Sequence, residues 1–251
     1  MSKQPNPESQ VSENDILASL LENLPSTDAI AVKVPSNCKF YKLENPGKGI
    51  QLRPMTFEDE KAMMSHKNVN VDTLNLLLER CVSNVNVNSL LQMDKLYLIM
   101  KLREISYGDS YGAVISCPSC RRDNNVKFNL SQLGTTHLPK DASDPMDVYL
   151  PILQKNIKLR YPRVADEGYL QNSELTLANL WRFVESIEGH DKKTIISKVM
   201  SQLPLQDSHT IINALGGGEY GIDTSVRFVC SYCGHNEILP LPITADFFTG
   251  N

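Results

Sequence analysis

The chain has 251 residues, of which 41% are hydrophobic and 22% charged, so it carries enough apolar side chains to bury a core of its own. A formal charge of -4 removes any broad basic face that would attract nucleic acid or anionic lipid. No apolar run approaches the roughly 20 residues of a membrane-spanning helix, and residues 1–13 lack the basic and apolar segments of a secretory signal, which predicts a cytoplasmic protein.

In chain order, residues 1–28 read as a flexible arm with one short apolar turn over Asp15 to Leu21, stopped at Pro25. Residues 29–112 read as a β/helical region. Three strands are predicted at Ala31–Val34, Phe40–Leu43 and Ile50–Arg53, separated by Asn, Pro and Gly. Thr56 is a helix cap ahead of Phe57, with Glu58, Asp59 and Glu60 in a first turn where the helix dipole favours solvated acids. Two further helices are predicted at Asp72–Cys81 and Asp94–Glu104, each capped by its Asp.

The six cysteines carry the sharpest signal. Four stand in two Cys-x-x-Cys pairs, Cys117 with Cys120 and Cys230 with Cys233, and each pair lies between two strand-like runs. Two cysteines so spaced reach one metal ion from a single tight turn, and two such turns complete a tetrahedral thiolate shell. A shell of four thiolates leaves no open position for water or substrate, so the predicted zinc ion is structural, not catalytic. Iron in the same shell is chemically possible. Redox dithiols occur singly at a helix N-terminus, which is not this context. His235 is a surface residue in this reading, Cys38 and Cys81 stand alone, and Cys81 falls on the apolar face of a helix as a buried thiol.

Residues 121–229 between the pairs are too many for a loop. Within them, residues 136–221 form a mainly helical insertion. Its expected parts are a strand at Asn156–Pro162, a helix marked by Leu177, Leu180, Trp181, Val184 and Ile187, a second over Ile195–Met200, and a third capped by Asp207 that runs to Leu215. Lys158, Arg160 and Arg163 read as a solvated strand face, and the likeness of the two cysteine units as local, without a longer repeat. The fold class is therefore α+β. A zinc-ribbon-like β unit, made from residues 113–135 and 222–248, joins the N-terminal β/helical region and the helical insertion. There is no Gly-x-Ser-x-Gly, no His-Glu-x-x-His and no phosphate loop at Gly216–Gly218, so no catalytic residue is assigned.

Several positions taken together resemble a family of tail proteins from contractile-tailed bacteriophages of the T-even type, the baseplate hub and hub-assembly proteins. They are Leu52-Arg53-Pro54-Met55-Thr56, Tyr107-Gly108 ahead of Val114 and Cys117, Leu159-Arg160-Tyr161-Pro162, and Phe228 with Cys230, Cys233, Gly234 and Phe247-Phe248. The resemblance implies a non-enzymatic hub component or assembly factor that contacts other tail proteins, in the host cytoplasm or the virion baseplate. The alternative is a zinc-ribbon module that binds nucleic acid, for which Arg121, Arg122 and Tyr232 are the basic and aromatic residues at the knuckles.

Overall fold

The computed structural model describes residues 12–22, 28–65, 71–216, 220–243 and 245–248. Helix α1 (Glu13–Leu21) starts at a Ser12–Asp15 capping box, and its Ile16, Leu17, Leu20 and Leu21 are exposed. The remainder of the predicted arm lies outside the described residues.

The first body begins with β1 (Ile30–Val32) and β2 (Ile50–Leu52), then α2 (Phe57–Met64), α3 (Val71–Cys81) and β3 (Val82–Ser83). The strands form an antiparallel sheet with β2 in the centre. Phe40–Leu43, predicted as a strand, is not one. Asn37 and Cys38 turn the backbone left-handed, with φ of 54° and 59°. Phe40 then stacks on Tyr161 at 5.6 Å, and the Tyr41 hydroxyl donates to Asp94 while accepting from the Leu91 N–H at 2.8 Å. The alternation of that segment records two tertiary partners; the third strand comes from the end of α3.

Helix α4 (Gln92–Tyr107) runs through the middle of the molecule, with Leu98, Ile99, Met100, Leu102 and Arg103 buried. A helix enclosed on nearly all sides needs partners for its charged groups, and Lys95 meets Glu167 at 2.6 Å. Neither Asp72 nor Asp94 is a cap, because both fall in the first turn of their helices. Two antiparallel hairpins carry the cysteine pairs: β4 (Ser110–Ser116) with β5 (Asp123–Asn129), and, further along the chain, β11 (Ser225–Val229) with β12 (Asn236–Pro240). A two-residue pairing of β6 (Thr135–Thr136) with β10 (Gly221–Ile222) ties the segments that flank the insertion.

The inserted body has β7 (Met146–Leu150), β8 (Lys155–Leu159), α5 (Ser173–Asn179), β9 (Val184–Ile187), α6 (Lys193–Met200) and α7 (Leu205–Leu215). To the predicted helices it adds a three-stranded antiparallel sheet centred on β8. The helix expected through Leu177 to Ile187 stops at Asn179, and Val184–Ile187 is a strand. The β-branched Val184 and Ile187 pair with Leu159 and Ile157 and fill the core from the sheet. Trp181 packs half-buried at the edge of that core.

Asp207 does not cap its own helix. It is buried and accepts from the N–H groups of Ile152 and Leu153 at 2.9 and 2.7 Å. The expected solvated face of Lys158, Arg160 and Arg163 is a set of ion pairs. Lys158 meets Asp147 at 2.8 Å, Arg163 meets Asp144 at 2.6 Å, and Arg160 grips Asp166 with two bonds of 2.7 and 2.8 Å.

Two main cores result. The larger joins the first sheet, α3 and α4 to both hairpins and to Phe247 and Phe248; the second lies within the inserted body. A small cluster of Leu91, Leu138, Tyr161 and Tyr220 connects them. No described helix is long and apolar enough to cross a membrane.

Candidate metal centre

Each hairpin ends in a tight knuckle built by its own backbone. In the first, the Arg121 N–H donates to the Cys117 carbonyl at 2.8 Å and the Cys117 N–H donates to the Arg122 carbonyl at 3.0 Å. In the second, Gly234 donates to Cys230 at 3.0 Å and Cys230 to His235 at 2.8 Å. Closing such a turn requires a left-handed residue after the second cysteine. Gly234 provides it with φ of 72°, and Arg121 adopts φ of 58° despite its side chain.

The two knuckles meet face to face. Cys117, Cys120, Cys230 and Cys233, the four residues singled out by spacing, come together with all Sγ atoms within 4.8 Å of one another. The Cys117–Cys233 sulfurs are 3.7 Å apart and the Cys120–Cys230 sulfurs 3.6 Å. A tetrahedron of metal–sulfur bonds of about 2.3 Å has edges of about 3.8 Å, so these separations suit a thiolate-bound metal ion. Cys117 and Cys230 are buried and Cys233 is exposed, which puts the cluster at the rim of the core.

Local polar groups favour thiolate at Cys230 and not at Cys120, where the Arg122 N–H acts to lower the pKa but burial and the neighbouring thiols push it up to about 11. Burial acts to raise the Cys230 pKa, but the N–H groups of Cys233 and Tyr232 and the neighbouring thiols of Cys120 and Cys233 outweigh it and bring it down to about 6. Asn124 braces the two knuckles against each other, and nothing in its sequence position announced this. Its Oδ1 accepts from the Ser231 N–H and hydroxyl, both at 2.9 Å, while its Nδ2 donates to the Arg122 carbonyl at 2.9 Å and lies 3.6 Å from the Cys230 sulfur.

The remaining candidates fall elsewhere. The His235 ring is outside the cluster, 3.6 Å from Glu237. Arg122 lies over the Tyr232 ring at 5.1 Å and is thus occupied within the site. Cys81 is buried, and that burial pushes its thiol up to about 11, as suits an inert core residue.

Fold and site together define an α+β protein whose distant segments meet in a four-cysteine cluster that could hold one metal ion. The chain belongs to the family described as T4 bacteriophage base plate protein, which it matches over residues 35–249. No curated protein and no solved structure matches it.

Proposed function

We propose that this protein is a non-enzymatic component or assembly factor of the baseplate hub, acting through contacts with other tail proteins, and that one zinc ion held by Cys117, Cys120, Cys230 and Cys233 stabilises it. The observation that carries this reading is the closed four-cysteine cluster in a chain of the baseplate family. Four thiolates would use every position of a tetrahedral ion, and the ion would supply a cross-link, not a Lewis acid open to substrate. The cluster ties two hairpins that come from opposite sides of the insertion, so its stabilisation is long-range.

Elemental analysis and thiol titration of protein purified under reducing conditions test the metal. One zinc per chain with four protected thiols is expected, and Cys120→Ser or Cys233→Ser should each lose the zinc and most of the stability, because structural metal binding is coupled to folding. A folded variant that keeps its zinc would refute the assignment. Affinity capture against the other tail proteins of the same phage tests the role. Salt-sensitive binding to a short duplex, with no tail protein bound, would favour the nucleic-acid alternative.

A further inference from the structure

We infer that residues 30–130 and 146–243 are two copies of one structural unit, so that the chain is a fused pseudo-dimer and its metal centre is a joint to which each copy contributes one cysteine pair. This rests on the metal reading for the ion but not for the duplication.

The correspondence is one of geometry. In each copy a three-stranded antiparallel sheet has its second strand in the centre, β2 in one and β8 in the other. Val34-Pro35 lies two residues past the end of β1, and Leu150-Pro151 lies at the end of β7. The central strands end in Leu52-Arg53 and Leu159-Arg160, and each arginine grips the carboxylate six residues on. Arg53 meets Asp59 at 2.6 and 3.1 Å, and Arg160 meets Asp166 at 2.7 and 2.8 Å. Both carboxylates then reach back to the N–H three residues before them, Thr56 and Arg163, each at 2.9 Å. The arginine N–H groups donate to the residue that precedes the third strand, Arg53 to Cys81 at 3.0 Å and Arg160 to Phe183 at 2.9 Å.

Beyond the sheets, the match from Val87 to Leu130 runs against Met200 to Ile243 at constant spacing, with no insertion or deletion. The turn Leu90 to Val87 is repeated by Leu203 to Met200. Buried Asp94 in α4 answers buried Asp207 in α7, and each accepts from the N–H of the turn after its own copy's first strand, Ser36 at 2.9 Å and Ile152 at 2.9 Å. Tyr107-Gly108 answers Tyr220-Gly221, with both glycines at positive φ, and the cysteines, hairpin pairings and knuckle bonds coincide.

The metal centre then has the signature of an interface between identical units. Cys117 is equivalent to Cys230 and Cys120 to Cys233, and the close sulfur pairs are Cys117–Cys233 and Cys120–Cys230. Exchanging the copies maps each pair onto the other, as in a two-fold contact. The bodies have diverged, since the first core takes in both hairpins and the second takes in neither.

The test uses the full-length chain with a specific protease sequence inserted between Lys140 and Asp141, both exposed, and cleaved after folding. Zinc content is measured on the uncut protein first; absence there counts against the metal reading alone, and cohesion of the cut chain still tests the duplication. The expected result is a cleaved protein that elutes as one particle of the uncut size, melts within a few degrees of it, and holds one zinc per fragment pair where the uncut chain holds one. Release of either fragment, or zinc retained by the N-terminal fragment alone, overturns the inference. In a second variant, Pro118→Ser, Ser119→Tyr, Arg121→Gly and Arg122→His give the first knuckle the sequence of the second. Equivalent knuckles predict unchanged zinc content and a melting point no lower than the parent's, because glycine relieves the left-handed position. Zinc loss with an unchanged circular dichroism spectrum overturns the equivalence.

Discussion

Asp59 shows how far a side chain's role can depart from its local setting. The sequence places it among three acids in a solvated first turn, yet it is fully buried and takes hydrogen bonds from Arg53, Thr56 and Arg80. Burial by itself would raise its pKa, but these bonds outweigh that effect and hold the carboxyl well below the usual carboxylate range. A depressed folded-state pKa gives stability that is present above the unfolded value of about 4 and is lost as pH falls through it toward the folded one. Asp59→Asn should therefore cost about 3 kcal/mol at neutral pH, by leaving two arginines without their carboxylate. Its melting temperature should also fall less steeply than the parent's between pH 5 and 3. Thermal melts of both proteins across that range check this, and acid release of metal is common to the two.

At the scale of elements, α4 and α7 are the same helix in two environments. Both bury an Asp in the first turn and a Leu eight residues further on, Asp94 and Leu102 in α4 and Asp207 and Leu215 in α7. Where α4 has buried Met100, α7 has exposed Asn213, and where α4 has Leu96, packed against the core, α7 has exposed His209. The difference follows from what covers each helix: β10, the residues after β5 and the segment Ala245–Phe248 lie against α4. Met100→Asn should cost about 2–4 kcal/mol, by a lost apolar contact and a buried amide. Asn213→Met should stay within about 0.5 kcal/mol of the parent. Denaturant titration of both variants measures the contrast, and equal costs would show that α7 is covered as fully as α4.

For the molecule as a whole, the end of the described chain closes the larger core. Phe247 and Phe248 are buried; Phe247 sits edge-on to Tyr111 at 4.8 Å, and the Tyr107 hydroxyl donates to the Phe248 carbonyl at 2.7 Å. Phe247→Ala should cost about 3–5 kcal/mol, and because hairpins and α4 share that core, unfolding should remain a single transition. Calorimetry distinguishes this from loosening of the chain end alone. The sequence by itself determined the four cysteines, the strands that flank them, most of the helices and the family, because metal spacing, capping and apolar period are local patterns. Only the tertiary structure decided where Asp59, Asp94, Asp166 and Asp207 find their donors, that Phe40–Leu43 is not a strand while Val184–Ile187 is one, and that the two halves of the chain share one arrangement of hydrogen bonds. The matching residues are few and, ahead of Val87 and Met200, lie at gaps that differ between copies, while the hydrogen bonds they make are shared, and those bonds exist only once distant segments have been brought into contact.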